Sequence, residues 1–234
     1  YNPKMECMSR EDMRELQTQR LKDTVRTCYM KSKFYRRKMA ELGVTPDDIQ
    51  SIDDIHKLPF TTKHDLRDEY PFGLMVVPPT EVARIHASSG TTGKPVVDVY
   101  TKNDLDMWSE GVARVMAAGG VGPGDTVQVS YGYGLFTGGL GAHEGAAKLG
   151  AVQLPTSAGN TEKQIMLMED LRTNVLACTP SYAMHLAEAI HNSDKVSITN
   201  MHLRCGFFGA EPWTEGLRKE LEEKLRIKAY DIYG

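Results

Sequence analysis

From Lys102 onward, segments with helical periodicity alternate with short apolar runs of strand character. The pattern predicts helix 102–118, strand 127–129, helix 136–149, strand 151–154 and helix 161–173. It continues with strand 174–178, helix 181–191, strand 204–208, helix 214–225 and strand 228–232. Parallel neighbours need a crossover, so this alternation implies an α/β fold with a mostly parallel sheet flanked by helices on both faces. Ligands of open sheets of this kind bind beyond the carboxyl ends of the strands. Those ends carry Tyr131-Gly132-Tyr133-Gly134, Pro155-Thr156-Ser157, Thr179-Pro180-Ser181-Tyr182, Gly209-Ala210-Glu211-Pro212-Trp213 and Tyr233-Gly234.

Upstream, Ser88-Ser89-Gly90-Thr91-Thr92-Gly93-Lys94-Pro95 gathers hydroxyls, glycines and a lysine with no apolar side chain. Gly90 and Gly93 can turn successive backbone N–H groups inward, and the hydroxyls and the Lys94 ammonium add donors to the same concavity. Such a loop suits polyphosphate. It is not a Walker loop, which has four residues before its Gly-Lys pair and a Ser or Thr after it. Its flanks, Val82-Ala83-Arg84-Ile85 and Val96-Val97-Asp98-Val99-Tyr100, read as strands, so the loop joins strand to strand. An ordinary Gly/Ser/Thr hairpin turn is the plainer alternative.

The N-terminal residues 1–80 read as a helical segment packing on an α/β core of 81–234. Ser9 with Asp12 resembles a helix cap, and Met13, Leu16, Leu21, Val25 and Cys28 fall on one face through to about Tyr29. Lys31, Lys33, Arg36, Arg37 and Lys38 follow, where the helix dipole favours cations. Thr45-Pro46, Ser51 and Thr61 or Thr62 open short helices that form a brace or lid.

A net charge of −3 argues against a general nucleic-acid binder, and no apolar run approaches the roughly 18 residues of a membrane helix. The sequence shows no signal-peptide pattern, and a cytoplasmic protein is expected. Cys7, Cys28, Cys178 and Cys205 form no C-x-x-C, so reduced thiols are expected in place of disulfides or a zinc ribbon.

The hydroxyl-rich loop, Gly209-Ala210-Glu211-Pro212-Trp213, Asp231-Ile232-Tyr233-Gly234 and Tyr131-Gly132-Tyr133-Gly134-Leu135-Phe136 together resemble the adenylate-forming acyl-CoA synthetases, in their phenylacetate-CoA ligase branch. The resemblance extends to Leu58-Pro59-Phe60-Thr61-Thr62-Lys63 and Asp65-Leu66-Arg67-Asp68. It implies ATP, magnesium and coenzyme A, with an aryl acid activated as its adenylate and transferred to the thiol. On that resemblance Ser88, Ser89, Gly90, Thr91, Thr92, Gly93 and Lys94 hold the ATP phosphates. Gly209, Ala210, Glu211 and Pro212, with Asp231, Ile232 and Tyr233, form the adenine and AMP site. Tyr131 and Phe136 wall the acyl pocket, with core packing the alternative for either ring, as it is for Tyr233 at a strand end.

The same resemblance places a magnesium-binding glutamate just after Gly234 and a catalytic lysine in a further domain, and assigns no catalytic residue here. The chain is therefore expected to be a fragment that is inactive by itself, with apolar surface through which it could self-associate. A non-catalytic nucleotide- or acyl-binding module is the alternative. Neither nucleic acid nor membrane is an expected partner.

Overall fold

The computed structural model describes residues 1–88 and 95–233. The chain divides into two compact units, Tyr1–Asn103 and Asp104–Gly234. In the first, a short helix α1 (Pro3–Glu6) precedes α2 (Arg10–Lys31), where Ser9 Oγ accepts from Asp12 N at 3.0 Å. Ser32 ends α2 by donating its N–H to Cys28 O, and its hydroxyl caps α3 (Lys33–Glu41) by accepting from Tyr35 N. Val25, Met39 and Ile49 are buried together, with Leu21, Tyr29, Val44 and Leu58 packed around them.

Within the basic cluster Arg36 serves the carboxyl end of α2, as the dipole argument predicts, while Lys38 bridges to a later segment. Arg36 donates to the terminal carbonyls of Tyr29 and Met30, and Lys38 to Phe60 O and Asp65. Asp65 also caps α4 (Lys63–Asp68) from within, receiving Thr62 N at 2.7 Å. Lys38 first, and then Thr62, hold its carboxyl down at about 2. Antiparallel strands β1 (Val82–Ala87) and β2 (Val97–Thr101) complete this unit.

The second unit follows the predicted alternation. Helix α5 (Lys102–Ala118) leads to β3 (Thr126–Val129), α6 (Thr137–Lys148), β4 (Val152–Leu154) and α7 (Thr161–Asp170). Then come β5 (Val175–Cys178), α8 (Pro180–His191), β6 (Cys205–Gly209), α9 (Glu215–Leu225) and β7 (Lys228–Ile232). The strands lie in the order β4-β3-β5-β6-β7 and all pairs are parallel. Period-two alternation divides their side chains between two cores. Val127, Val129, Val175, Ala177 and Phe207 pack against Ala113 and Met116 of α5 and Ala142 and Ala146 of α6. Leu176, Cys178, Phe208 and Ala229 face Met168 of α7, Leu186 and Ile190 of α8, and Leu221 of α9.

Glycine makes one of these contacts possible. A Cβ on Gly145 would lie 2.5 Å from Val112 Cγ1, and one on Gly141 would lie 2.9 Å from the Trp108 ring. Helix α6 therefore approaches α5 more closely than side chains would permit.

The amino-terminal edge of the sheet is fastened by side chains. Asp125 accepts from Gly122 N at 2.8 Å, from Asn174 Nδ2 at 2.8 Å and from Arg204 at 2.7 Å. Asn174 Oδ1 in turn accepts from Thr126 N at 2.9 Å, and Arg204 reaches Gly120 O. Burial opposes the charge on Asp125, but the hydrogen bonds from Arg204, Gly122 and Asn174 outweigh it and hold the carboxyl below the usual carboxylate range.

Candidate functional site

The strand order fixes where a ligand can enter. From β3 the chain turns to one side, through α6 to β4, and from β5 it turns to the other, through α8 to β6. The helices after β3 and β5 lie on opposite faces of the sheet, so a crevice opens between the carboxyl ends of these adjacent strands. A cleft of about 370 Å³ occupies that point. Ser130, Tyr131 and Gly132 enter it from the end of β3, and Thr179, Tyr182 and His185 from the cap and first turns of α8. Ala158, from the loop after β4, closes it.

Tyr131 lies in this wall with 8% of its surface exposed. Its hydroxyl is enclosed and completes no hydrogen bond among the described residues, although the Gly209 backbone faces it. Burial, reinforced by Cys178, raises its pKa well above the ordinary phenol value. Tyr133 stands nearby with its hydroxyl 3.4 Å from His143 Nδ1, and burial pushes its phenol up to about 12. Phe136 is placed differently. It is the N-cap residue of α6, is 58% exposed, and is not among the residues lining the cleft.

The two predicted nucleotide segments end adjacent strands, β6 and β7. Gly209 pairs with Ile232, and a Cβ at Gly209 would overlap the Ile232 carbonyl oxygen. Only glycine permits that approach. Ala210 follows in the left-handed region at φ 70°, a conformation that L residues adopt at a cost. Glu211 then turns back to the start of α8, accepting from Ser181 Oγ at 2.8 Å and Ser181 N at 3.2 Å. Pro212 and Asp231 are exposed, Ile232 packs on the core beside α5 and α6, and Tyr233 is fully exposed beyond β7.

In the hydroxyl-rich loop, Ser88 closes the strand pair: its N–H donates to Val96 O and its Oγ accepts from Val96 N, both at 2.9 Å. Ser89, Gly90, Thr91, Thr92, Gly93 and Lys94 lie outside the described residues. The cysteines are free thiols, and the described residues contain no group of three or more His, Cys, Asp or Glu able to hold a metal.

Sequence reasoning missed Gln164. This α7 residue is 2% exposed and reaches the loop after β4, the end of β3 and Tyr182 of α8. The available signal was a polar side chain four residues before buried Met168, on the helix face that includes Ile165.

The doubly covered parallel sheet and its loops define the class: the fold is that of the adenylate-forming CoA ligases. A solved 2-hydroxyisobutyryl-CoA ligase in complex with 2-HIB-AMP and CoA superposes with a TM-score of 0.90 at 31% identity, over 98% of this chain and 55% of that one. A search against family models found no match. More particularly, the chain is homologous to the phenylacetate-coenzyme A ligases. That of Thermus thermophilus is 52% identical over 234 residues, all of this chain and 52% of the relative. That of Escherichia coli is 51% identical over 230 residues, 98% of this chain and 53% of the relative. The chain spans about half the length of the curated relatives it matches. No described helix is long and apolar enough to cross a membrane.

Proposed function

We propose that the chain is the nucleotide- and acid-binding part of an ATP-dependent aryl-acid:coenzyme A ligase of phenylacetate-CoA ligase type, with residues 81–234 as its AMP-binding core. The observation that carries the reading is identity near one half along the entire chain to ligases of that name. In the reaction, a carboxylate oxygen of the acid attacks the α-phosphorus of ATP, pyrophosphate leaves, and the coenzyme A thiol then displaces AMP to give the thioester.

In this reading Ser88, Ser89, Gly90, Thr91, Thr92, Gly93 and Lys94 hold the departing phosphates, because the charge growing on pyrophosphate needs donors already in place. Gly209, Ala210, Glu211 and Pro212, with Asp231, Ile232 and Tyr233, hold the adenylate, the exposed Tyr233 ring offering a face to the purine. Tyr131 and Phe136 are assigned to the aryl group: Tyr131 walls the cleft, which is of a size that small-molecule sites have, and Phe136 stands outside that lining at the N-cap of α6. Magnesium enters through the family resemblance alone. The described residues offer no cluster that would hold it.

The test is acid-dependent ATP–pyrophosphate exchange by the full gene product, with phenylacetate, hydroxyphenylacetate, indoleacetate and benzoate, followed by coenzyme A-dependent AMP release. Exchange with at least one arylacetate is expected. ATP binding without exchange for any acid would favour a non-catalytic module.

A further inference from the structure

We propose that Gln164 is the positioning residue that pre-forms the cleft for the acid, a role that rests on the ligase reading above. The loop after β4 passes through the left-handed region at Ser157 (φ 62°), Gly159 (φ 86°) and Asn160 (φ 51°). Ser157 is neither glycine nor asparagine, so the path at that residue needs restraint from outside the loop. Gln164 supplies it, donating from Nε2 to Ser157 O and to Gly159 O, both at 2.7 Å. Those two carbonyls use both N–H donors of the amide. The Tyr182 hydroxyl lies 2.9 Å from the same nitrogen and donates to Gly159 O at 3.2 Å.

The other end of the amide fastens the opposite wall. Oε1 accepts from Ser130 Oγ at 2.5 Å and from Thr156 Oγ1 at 3.2 Å, and Gln128 Nε2 is also 3.2 Å away. One buried side chain thus fastens Ser130 after β3 to the loop carrying Ala158, and Tyr182 on α8 ties into the same loop through Gly159 O. An apolar residue of the same volume would fill the space and leave the Ser157 and Gly159 carbonyls without these donors. A pocket held open by such a network receives its ligand with less ordering cost than one that must assemble around it.

The experiment uses the full gene product and three variants. Gln164→Met keeps length and volume and removes all hydrogen bonds, Gln164→Glu keeps the acceptor and loses the donors, and Tyr182→Phe removes one link. For Gln164→Met the KM for phenylacetate should rise about 10-fold or more, with the KM for ATP and for coenzyme A within about 2-fold. Gln164→Glu should resemble it, and Tyr182→Phe should raise the acid KM by about 2- to 5-fold with unchanged thermal stability. Should both Gln164 variants fail to fold, Tyr182→Phe decides alone. An unchanged acid KM, or equal rises for acid and ATP, would overturn the proposal while leaving the ligase reading intact. A wild-type protein without acid-dependent exchange would overturn both.

Discussion

Trp213 donates its indole Nε1–H to Asp231 Oδ1 at 2.7 Å. The bond joins the segment after β6 to the end of β7, the two stretches assigned to the adenylate. The indole is itself held by an edge contact with Phe208 and by the Arg218 guanidinium, 5.7 Å from its centre.

Trp213→Phe removes the N–H together with part of the ring, so Asp231→Asn, which keeps an acceptor of the same shape without the charge, is measured beside it. Trp213→Phe should raise the KM for ATP by about 3- to 10-fold, below the usual range for a hydrogen bond to a charged acceptor because Asp231 is exposed. The acid KM should not change. Steady-state kinetics with each substrate varied in turn checks this, and equal effects on both would show that the link does not serve the nucleotide.

Lys94→Ala should impair pyrophosphate release from ATP and acid far more than thioester formation from preformed acyl-adenylate, since that intermediate has lost the phosphates the lysine is assigned to hold. Separate assays of the two half-reactions decide it. Equal losses would remove Lys94 from the phosphate site.

The aromatic residues of the site separate by burial. Tyr131→Phe should leave stability unchanged or raise it by up to about 1 kcal/mol, because the hydroxyl it removes is enclosed without a completed hydrogen bond. Phe136→Ala should cost less than about 1 kcal/mol, since the ring is 58% exposed, yet raise the KM for aryl acids. Urea unfolding and acid-dependent kinetics test both. A large stability loss at Phe136 would return that ring to a packing role.

Helix α6 leaves no room for growth where it meets α5. Gly145→Ala places a methyl group 2.5 Å from Val112 Cγ1 and 3.1 Å from the Val112 backbone carbon, so repacking requires the helices to part. A loss of about 1–3 kcal/mol is expected by urea unfolding, despite alanine's better helix propensity. A stabilised variant would show that the two helices can separate freely.

Asp125 gives the fold a defined response to acid. Its folded pKa is lowered, so its contribution is present above the unfolded value of about 4 and is lost as pH falls through the folded value. Asp125→Asn should flatten the fall in stability below about pH 4 while lowering stability at neutral pH. Arg204→Ala should cost about 1 kcal/mol near pH 7, a modest figure because the guanidinium is partly exposed. An unaltered acid limb in Asp125→Asn would assign that titration to other carboxylates.

The sheet was legible because each crossover left two signals, an apolar run and a capped amphipathic helix. Ser9, Thr179 and Thr214 all cap where hydroxyls precede helical segments. Boundaries moved by a few residues, as at α7, which ends at Asp170. The strand order was not legible, because parallel strands of similar composition do not encode which neighbour lies on which side. Nor were the polar contacts across the site. Gln128 between two valines reads as a surface position, yet it is fully buried, and its Oε1 accepts from Thr173 Oγ1 at 3.2 Å. Trp213 and Asp231 are far apart in sequence, and only the parallel pairing of β6 with β7 brings their segments together.

The side chains that close the sheet at Asp125, Asn174 and Arg204 all stand at the end away from the cleft. The strands are therefore pinned at their beginnings and continue at their far ends into the loops that would grip a ligand. Amide protection from deuterium should therefore stay high through the strands, where Ser130 N–H still donates to Ala177 O at 2.8 Å, and fall in the loops beyond them, as from Gly209 to Ala210. A protein arranged in this way can refashion its grip while its foundation keeps its registration.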